Sequence, residues 1–166
     1  MTYAVHTLPG AQPIADTSTT QKHALGTIVR ATDPTYGEGE FIYLLGVAST
    51  AVGSIVSWNG TTHQTVLGVA AEKVPRPLAV AMSANVASQY GWYQISGVAV
   101  TAKLATTSFA AGAALAVAST GSGTAIATAS GNEIQGALVA AVASAATGRT
   151  TVLVSMNRPR MQGRIT

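Results

Sequence analysis

The chain contains no cysteine among its 166 residues, few aromatics (5%) and very little charge (9%). The first absence excludes a disulfide scaffold, a thiolate metal site and thiol redox chemistry. The charge deficit is more informative, since an ordinary soluble domain carries roughly 25% charged residues. With 48% hydrophobic residues, the chain has little charge to spread over a solvated surface. Much of that surface is expected to face protein, as in an oligomer or an assembled lattice whose interface cores exclude charge. Long apolar runs are missing too. The greasiest stretch, residues 134–146, is shorter than the roughly 18 residues of a membrane span. The opening MTYAVHTLPGAQPIAD has neither the basic nor the apolar region of a signal peptide. The expectation is synthesis in the cytoplasm without export, and no membrane partner.

Groups able to do chemistry are equally scarce. His6, His23 and His63 are the only histidines, and Asp16 and Asp33 the only aspartates, so a Ser-His-Asp arrangement would require a tertiary coincidence. No GxSxG elbow, HExxH, EF-hand or P-loop pattern occurs. The segment STGSGT (119–124) lacks the lysine of a phosphate loop and reads as a hairpin tip. The acidic loop DPTYGEGE brings Asp33, Glu38 and Glu40 within eight residues. Such a loop could hold a hard cation such as calcium, but a solvated glycine-rich turn is the preferred reading. The expectation is a protein that is not an enzyme and uses no cofactor and no metal.

What the chain does have is β punctuation. Short segments rich in Val, Ile, Thr and aromatics alternate with Gly, Asn, Ser and Pro, the pattern of a sandwich or barrel. Strands are expected over 25–31, 40–48, 53–58, 65–70, 78–83, 90–96, 98–103, 114–119, 124–129, 134–143 and 150–157. In FIYLLGV, Phe41, Tyr43 and Leu45 point to one face while Ile42 and Leu44 point to the other, so both faces need cover. In YGWYQI, Tyr90 and Trp92 share one face and Tyr93 and Ile95 the opposite one. Asn59-Gly60 predicts a hairpin with a type I′ turn. The phrase LLGVA (44–48) returns as VLGVA (66–70) and ISGVA (95–99), with a looser echo in IQGAL (134–138). Glycines inside strands mark bends, bulges or a close backbone approach, and Gly46, Gly68 and Gly97 are expected to let strands coil around one small barrel. The alanine-rich stretches 109–118 and 137–146 are expected to be strands, with room for one short helix.

Three segments follow: an extended N-terminal arm (1–23), a single β domain (24–156) and a short C-terminal tail (157–166). The net charge is +3, and Arg149, Arg158, Arg160 and Arg164 cluster near the C-terminus. The tail could be solvated, could dock on an acidic protein surface, or could neutralise phosphates. Nucleic acid is the least favoured of these, because the tail has few aromatics for stacking and no recognised binding fold.

Two stretches, ADTSTTQKHALGTIVRATDPTYGEGEFIYLLGVAST (15–50) and AVAMSANVASQYGWYQISGVAV (79–100), resemble small virion proteins of tailed bacteriophages, and specifically their capsid decoration, or cement, proteins. The resemblance implies an all-β fold, a compact β-barrel, β-tulip or sandwich. It also implies a homo-oligomer, trimeric in preference to dimeric, seated on the major capsid protein at the outer surface of the virion. Capsid or subunit contacts would then fall on Tyr3, Val5 and Leu8 of the arm, on Tyr90 and Trp92, and on Arg158, Arg160 and Arg164 of the tail. The competing function is a head-fibre or tail adhesin binding a host-surface glycan, with Tyr90 and Trp92 as the stacking platform.

Overall fold

The continuous apolar run from Phe41 to Leu45 can be accommodated only in a strand buried on both sides, and the architecture is organised around it. The computed structural model describes residues 3–70, 74–103, 106–128, 132–144 and 151–163. Among these the chain is all-β with no α-helix. The strands are β1 (Ala4–Val5), β2 (Thr17–Ser18), β3 (Ile28–Asp33), β4 (Gly37–Leu45), β5 (Ile55–Trp58), β6 (Thr65–Leu67), β7 (Leu78–Ala81), β8 (Tyr90–Ala102), β9 (Leu115–Val117), β10 (Ala125–Ala127), β11 (Ile134–Val139) and β12 (Thr151–Met161). Ten of them form one antiparallel sheet, and β9 and β10 form a separate hairpin. The path β1-β3-β4-β8-β7-β5-β6 does not return on itself. The closed barrel expected from the glycines is therefore replaced by an open sheet folded into layers.

The layers follow from strand alternation. Phe41 and Tyr43 of β4 and Trp92 of β8 bury one face, against Val29 and Ala31 of β3 and against Tyr3 and Ile14. Ile42 and Leu44 of β4, with Tyr93 and Ile95 of β8, bury the opposite face against Val56, Ala79 and Ala81 of β5 and β7. The other side of β5 and β7, carrying Ile55, Leu78 and Val80, packs onto Leu115, Val117, Val139, Val152, Val154 and Met156. Three apolar layers are thus stacked, and each internal strand serves two of them.

β8 joins the layers. Tyr90–Ser96 pairs with β4, and Ser96–Ala102 pairs with β12. The expected strands 90–96 and 98–103 are one strand bent at Gly97, which has a φ of 98° and lies beside a register shift against Glu40/Phe41. A strand that leaves one layer for the next commonly turns at such a bulge. Gly46 answers a different need: a Cβ there would lie 2.2 Å from the backbone oxygen of Asn85.

Three further expectations are corrected. Residues 3–18 are not a free arm: β1 pairs with β3, β2 pairs with β8, and Tyr3, Gln12 and Ile14 are buried. The segment is a strap folded back over the body. The tail begins later than residue 157, because β12 continues to Met161, with Pro159 and Met161 buried. The Asn59-Gly60 hairpin forms between β5 and β6, but its loop spans 59–64. Its tip is an Asx turn in which Asn59 Oδ1 accepts the Thr61 and Thr62 N–H groups, with the positive φ at His63. The alanine-rich stretches, by contrast, are strands where they are described, as expected: they supply β9 and part of β11.

The close approach at Gly46 gives a direct test. Gly46→Ala is expected to cost about 1–3 kcal/mol in urea unfolding, as overpacking does. Gly60→Ala, where a Cβ meets nothing within 4 Å, should change stability by a few tenths at most.

Candidate functional site

Three features stand out from the body: the seat of the strap, an ion cluster where β12 meets β4, and an uncharged outer sheet face. The strap is anchored by Gln12, 3% exposed. Its backbone oxygen accepts from Trp92 Nε1 at 2.9 Å, its Oε1 accepts from the Tyr43 hydroxyl at 3.3 Å, and its Nε2 donates to the Asp16 carbonyl at 2.7 Å. Its backbone N–H donates to His23 Nε2 at 3.1 Å. A glutamine is tolerated at this depth because each of its polar atoms has a partner. Around it lie Tyr43, Trp92 and His23, with Tyr43 and Trp92 ring centroids 5.0 Å apart. Burial raises the Tyr3 and Tyr43 hydroxyls above their ordinary range and keeps both neutral.

This geometry relocates several expected contact residues. Tyr3 packs edge-on against Phe41, with centroids 4.7 Å apart, and donates to the Val98 carbonyl. Trp92 is fully buried. Neither side chain is presented to a partner, and of the pair expected as a glycan-stacking platform only Tyr90 reaches the surface. Tyr90 is half-buried and stacks on Tyr43. Val5 and Leu8 are half-buried against the same cluster.

The arginines are also partly committed. Arg158 donates through Nε and Nη2 to Glu40 Oε2 at 3.2 and 3.1 Å, while Arg30 reaches Glu40 Oε1 at 3.3 and 3.2 Å. Arg30 also lies 3.6 Å from Glu38. Arg158 takes the left-handed conformation, φ 45°, in the part of β12 that bulges opposite Gly136. The acidic loop therefore does not gather its carboxylates around a cation: Glu38 and Glu40 face guanidinium groups, and Asp33 Oδ1 caps the turn at Thr35 and Tyr36. No group of three or more potential metal ligands occurs among the described residues. Arg160 donates to Gln135 Oε1 at 3.0 Å, and Arg164 lies outside the described residues. Residues 119–124 form the β9–β10 hairpin tip, its hydroxyls linked from Thr120 through Ser122 to Thr124.

The third feature was not anticipated. Val98 and Val100 of β8, Leu153 and Ser155 of β12, and Leu138 of β11 turn away from the core in register, with Leu138 opposite Ser155 and Leu153 opposite Val100. Leu138 is 52% exposed and nearby Val142 69%. Among the described residues no charged side chain lies within these rows, and Glu133 and Asn157 border the face beside Leu138 and Ser155. The reason it escaped sequence reading is the bulge between Gln135 and Ala137. Simple alternation from Ile134 would bury Leu138; across the irregularity, where Gly136 alone stands opposite residues 157–159, the parity reverses and Leu138 turns outward.

No protein-family model, curated protein or solved structure matches this chain.

Two stability tests follow. Gln12→Ala removes the acceptor of the buried Tyr43 hydroxyl and should lower stability by about 1–3 kcal/mol. At the ion cluster, Arg158→Ala should cost at most about 1 kcal/mol, because its side chain is 62% exposed. Arg158→Gly should exceed Arg158→Ala by about 0.5–1 kcal/mol in chemical unfolding, because glycine relieves the left-handed backbone.

Proposed function

We propose that this protein is a structural component of a tailed-bacteriophage virion, a decoration protein that binds the outer surface of the icosahedral capsid and reinforces capsomer junctions. The observation that carries this reading is the uncharged outer face of β8, β12 and β11, with Leu138 and Val142 exposed. Contiguous exposed apolar surface in a folded domain marks a place where another protein sits, and charge is depleted from the cores of such contacts. The low charge of the whole chain and the resemblance of residues 15–50 and 79–100 to decoration proteins point the same way. The partner is then the major capsid protein, and the self-association is a homotrimer. Many modest contacts repeated over a shell reinforce it without any one of them being large.

The burial of Trp92 leaves Tyr90 alone of the aromatic pair on which glycan binding by an adhesin would rest, so the capsid reading is preferred. In it the chain performs no reaction and needs no cofactor. The protein acts by covering a junction and resisting its separation.

Sedimentation of the purified protein with capsids assembled without it tests this reading. Wild type should co-sediment saturably. Leu138→Asp and Val142→Asp, which place charge on the outer face without touching the core, should weaken binding at least about tenfold, as loss of a central apolar contact does. Retention of full binding by both variants, with unchanged thermal unfolding, would exclude this face as the contact.

A further inference from the structure

We infer that the N-terminal strap is held by a proton-sensitive latch: the hydrogen bond from the Gln12 backbone N–H to His23 Nε2 closes the strap over the aromatic wall, and protonation of His23 opens it. A backbone N–H can only donate, so at 3.1 Å the ring nitrogen it meets must carry a lone pair and the ring proton must sit on Nδ1. An imidazolium has no lone pair to offer. Imidazole is also the side chain whose charge changes within the physiological pH range. On protonation, two N–H groups point at each other and the buried Gln12 amide loses its acceptor.

The surroundings make this a local event with a larger consequence. Gln12 is the residue through which Trp92 Nε1 and the Tyr43 hydroxyl are satisfied, so displacing it disturbs the wall that the strap covers. His23 itself lies against Tyr43 and Trp92, with ring centroids at 5.1 and 5.4 Å. Those rings attract an imidazolium and oppose opening, and the experiment reads the difference. The charged neighbours are Lys22, adjacent in the chain, and Asp16, on the strap; both are exposed. Among the described residues no carboxylate forms an ion pair with His23, so the two aromatic rings are what holds a charged imidazole in place.

His6, the histidine on the strap itself, does not behave this way. Its Nε2 meets the Thr32 hydroxyl at 2.7 Å, and a hydroxyl either donates or accepts. That bond survives protonation by reversing direction. His63 lies over Gly26, outside the strap.

Hydrogen exchange of the full chain at about pH 8 and about pH 5, corrected for the intrinsic pH dependence of exchange, tests the latch. Protection of residues 3–18 should fall about five- to tenfold more than that of β4 and β8 on acidification, the size of one hydrogen bond. His23→Gln, whose amide oxygen accepts at either pH, should remove the difference. Wild type also carries the test alone, because the midpoint of strap opening must coincide with the titration of the His23 ring followed by NMR. An unchanged strap, an equal response in His23→Gln, or a midpoint that follows His6 or His63 instead would overturn the proposal.

Discussion

A pair of neighbouring strands that is apolar on both faces sets the terms for everything else in this molecule. β4 and β8 carry Phe41, Tyr43 and Trp92 on one side and Ile42, Leu44 and Tyr93 on the other, nearly all of them fully buried. Burying each such side chain is worth roughly 1.5–3 kcal/mol, so neither face can be left to water. The chain meets this demand with segments that precede β4 and segments that follow it. The strap closes one side, and β5 and β7 close the other. Because β5 and β7 are themselves apolar on their far side, β9 to β12 must then close them. Ordering the strap costs roughly 1–2 kcal/mol per residue in backbone entropy. What offsets that cost is the aromatic wall beneath it, where Tyr3 and Ile14 are buried and Gln12 satisfies both Tyr43 and Trp92.

That central pair was legible in the sequence because its signal is strong and local. The alternation in FIYLL separated Phe41 and Tyr43 from Ile42 and Leu44, and that in YGWYQI separated Trp92 from Tyr93 and Ile95; the structure joins the first sets in one core and the second sets in another. The recurring glycines do mark a bend at Gly97 and close backbone approaches at Gly46 and Gly97, but not the closed barrel expected from them. The strap was not legible. Tyr3 and Ile14 are isolated apolar residues among prolines and small polar groups, and glutamine is a residue type found mostly on surfaces, so nothing in residues 1–23 announces a buried anchor. The outer face was hidden for a different reason. A bulge reverses the parity of a strand, and alternation read straight through Gly136 assigns Leu138 to the wrong side. Tertiary pairing also redirected Arg158, which reads as tail charge in the sequence but reaches back to Glu40 across 118 positions of chain.

The same division separates what stabilises the molecule from what it has available for others. Aromatic residues, the usual anchors of a protein contact, are mostly spent on the core, and the charges of the acidic loop are spent on Arg30 and Arg158. The outer face of β8, β12 and β11 is what is left over: poor in charge and dotted with Leu138, Leu153 and Val142. A surface of this kind suits broad, repeated contact with a second protein better than selective capture of a small polar ligand, whose recognition relies on a few precisely placed polar groups in a concave site. This is the physical content of the capsid-decoration reading.

Its central claim is about stoichiometry, since a protein that reinforces capsomer junctions must be present wherever those junctions recur. Quantitative mass spectrometry of purified virions measures this directly. The account predicts a copy number comparable to that of the major capsid protein; absence from the particle, or a handful of copies as expected of a tail or fibre subunit, would contradict it.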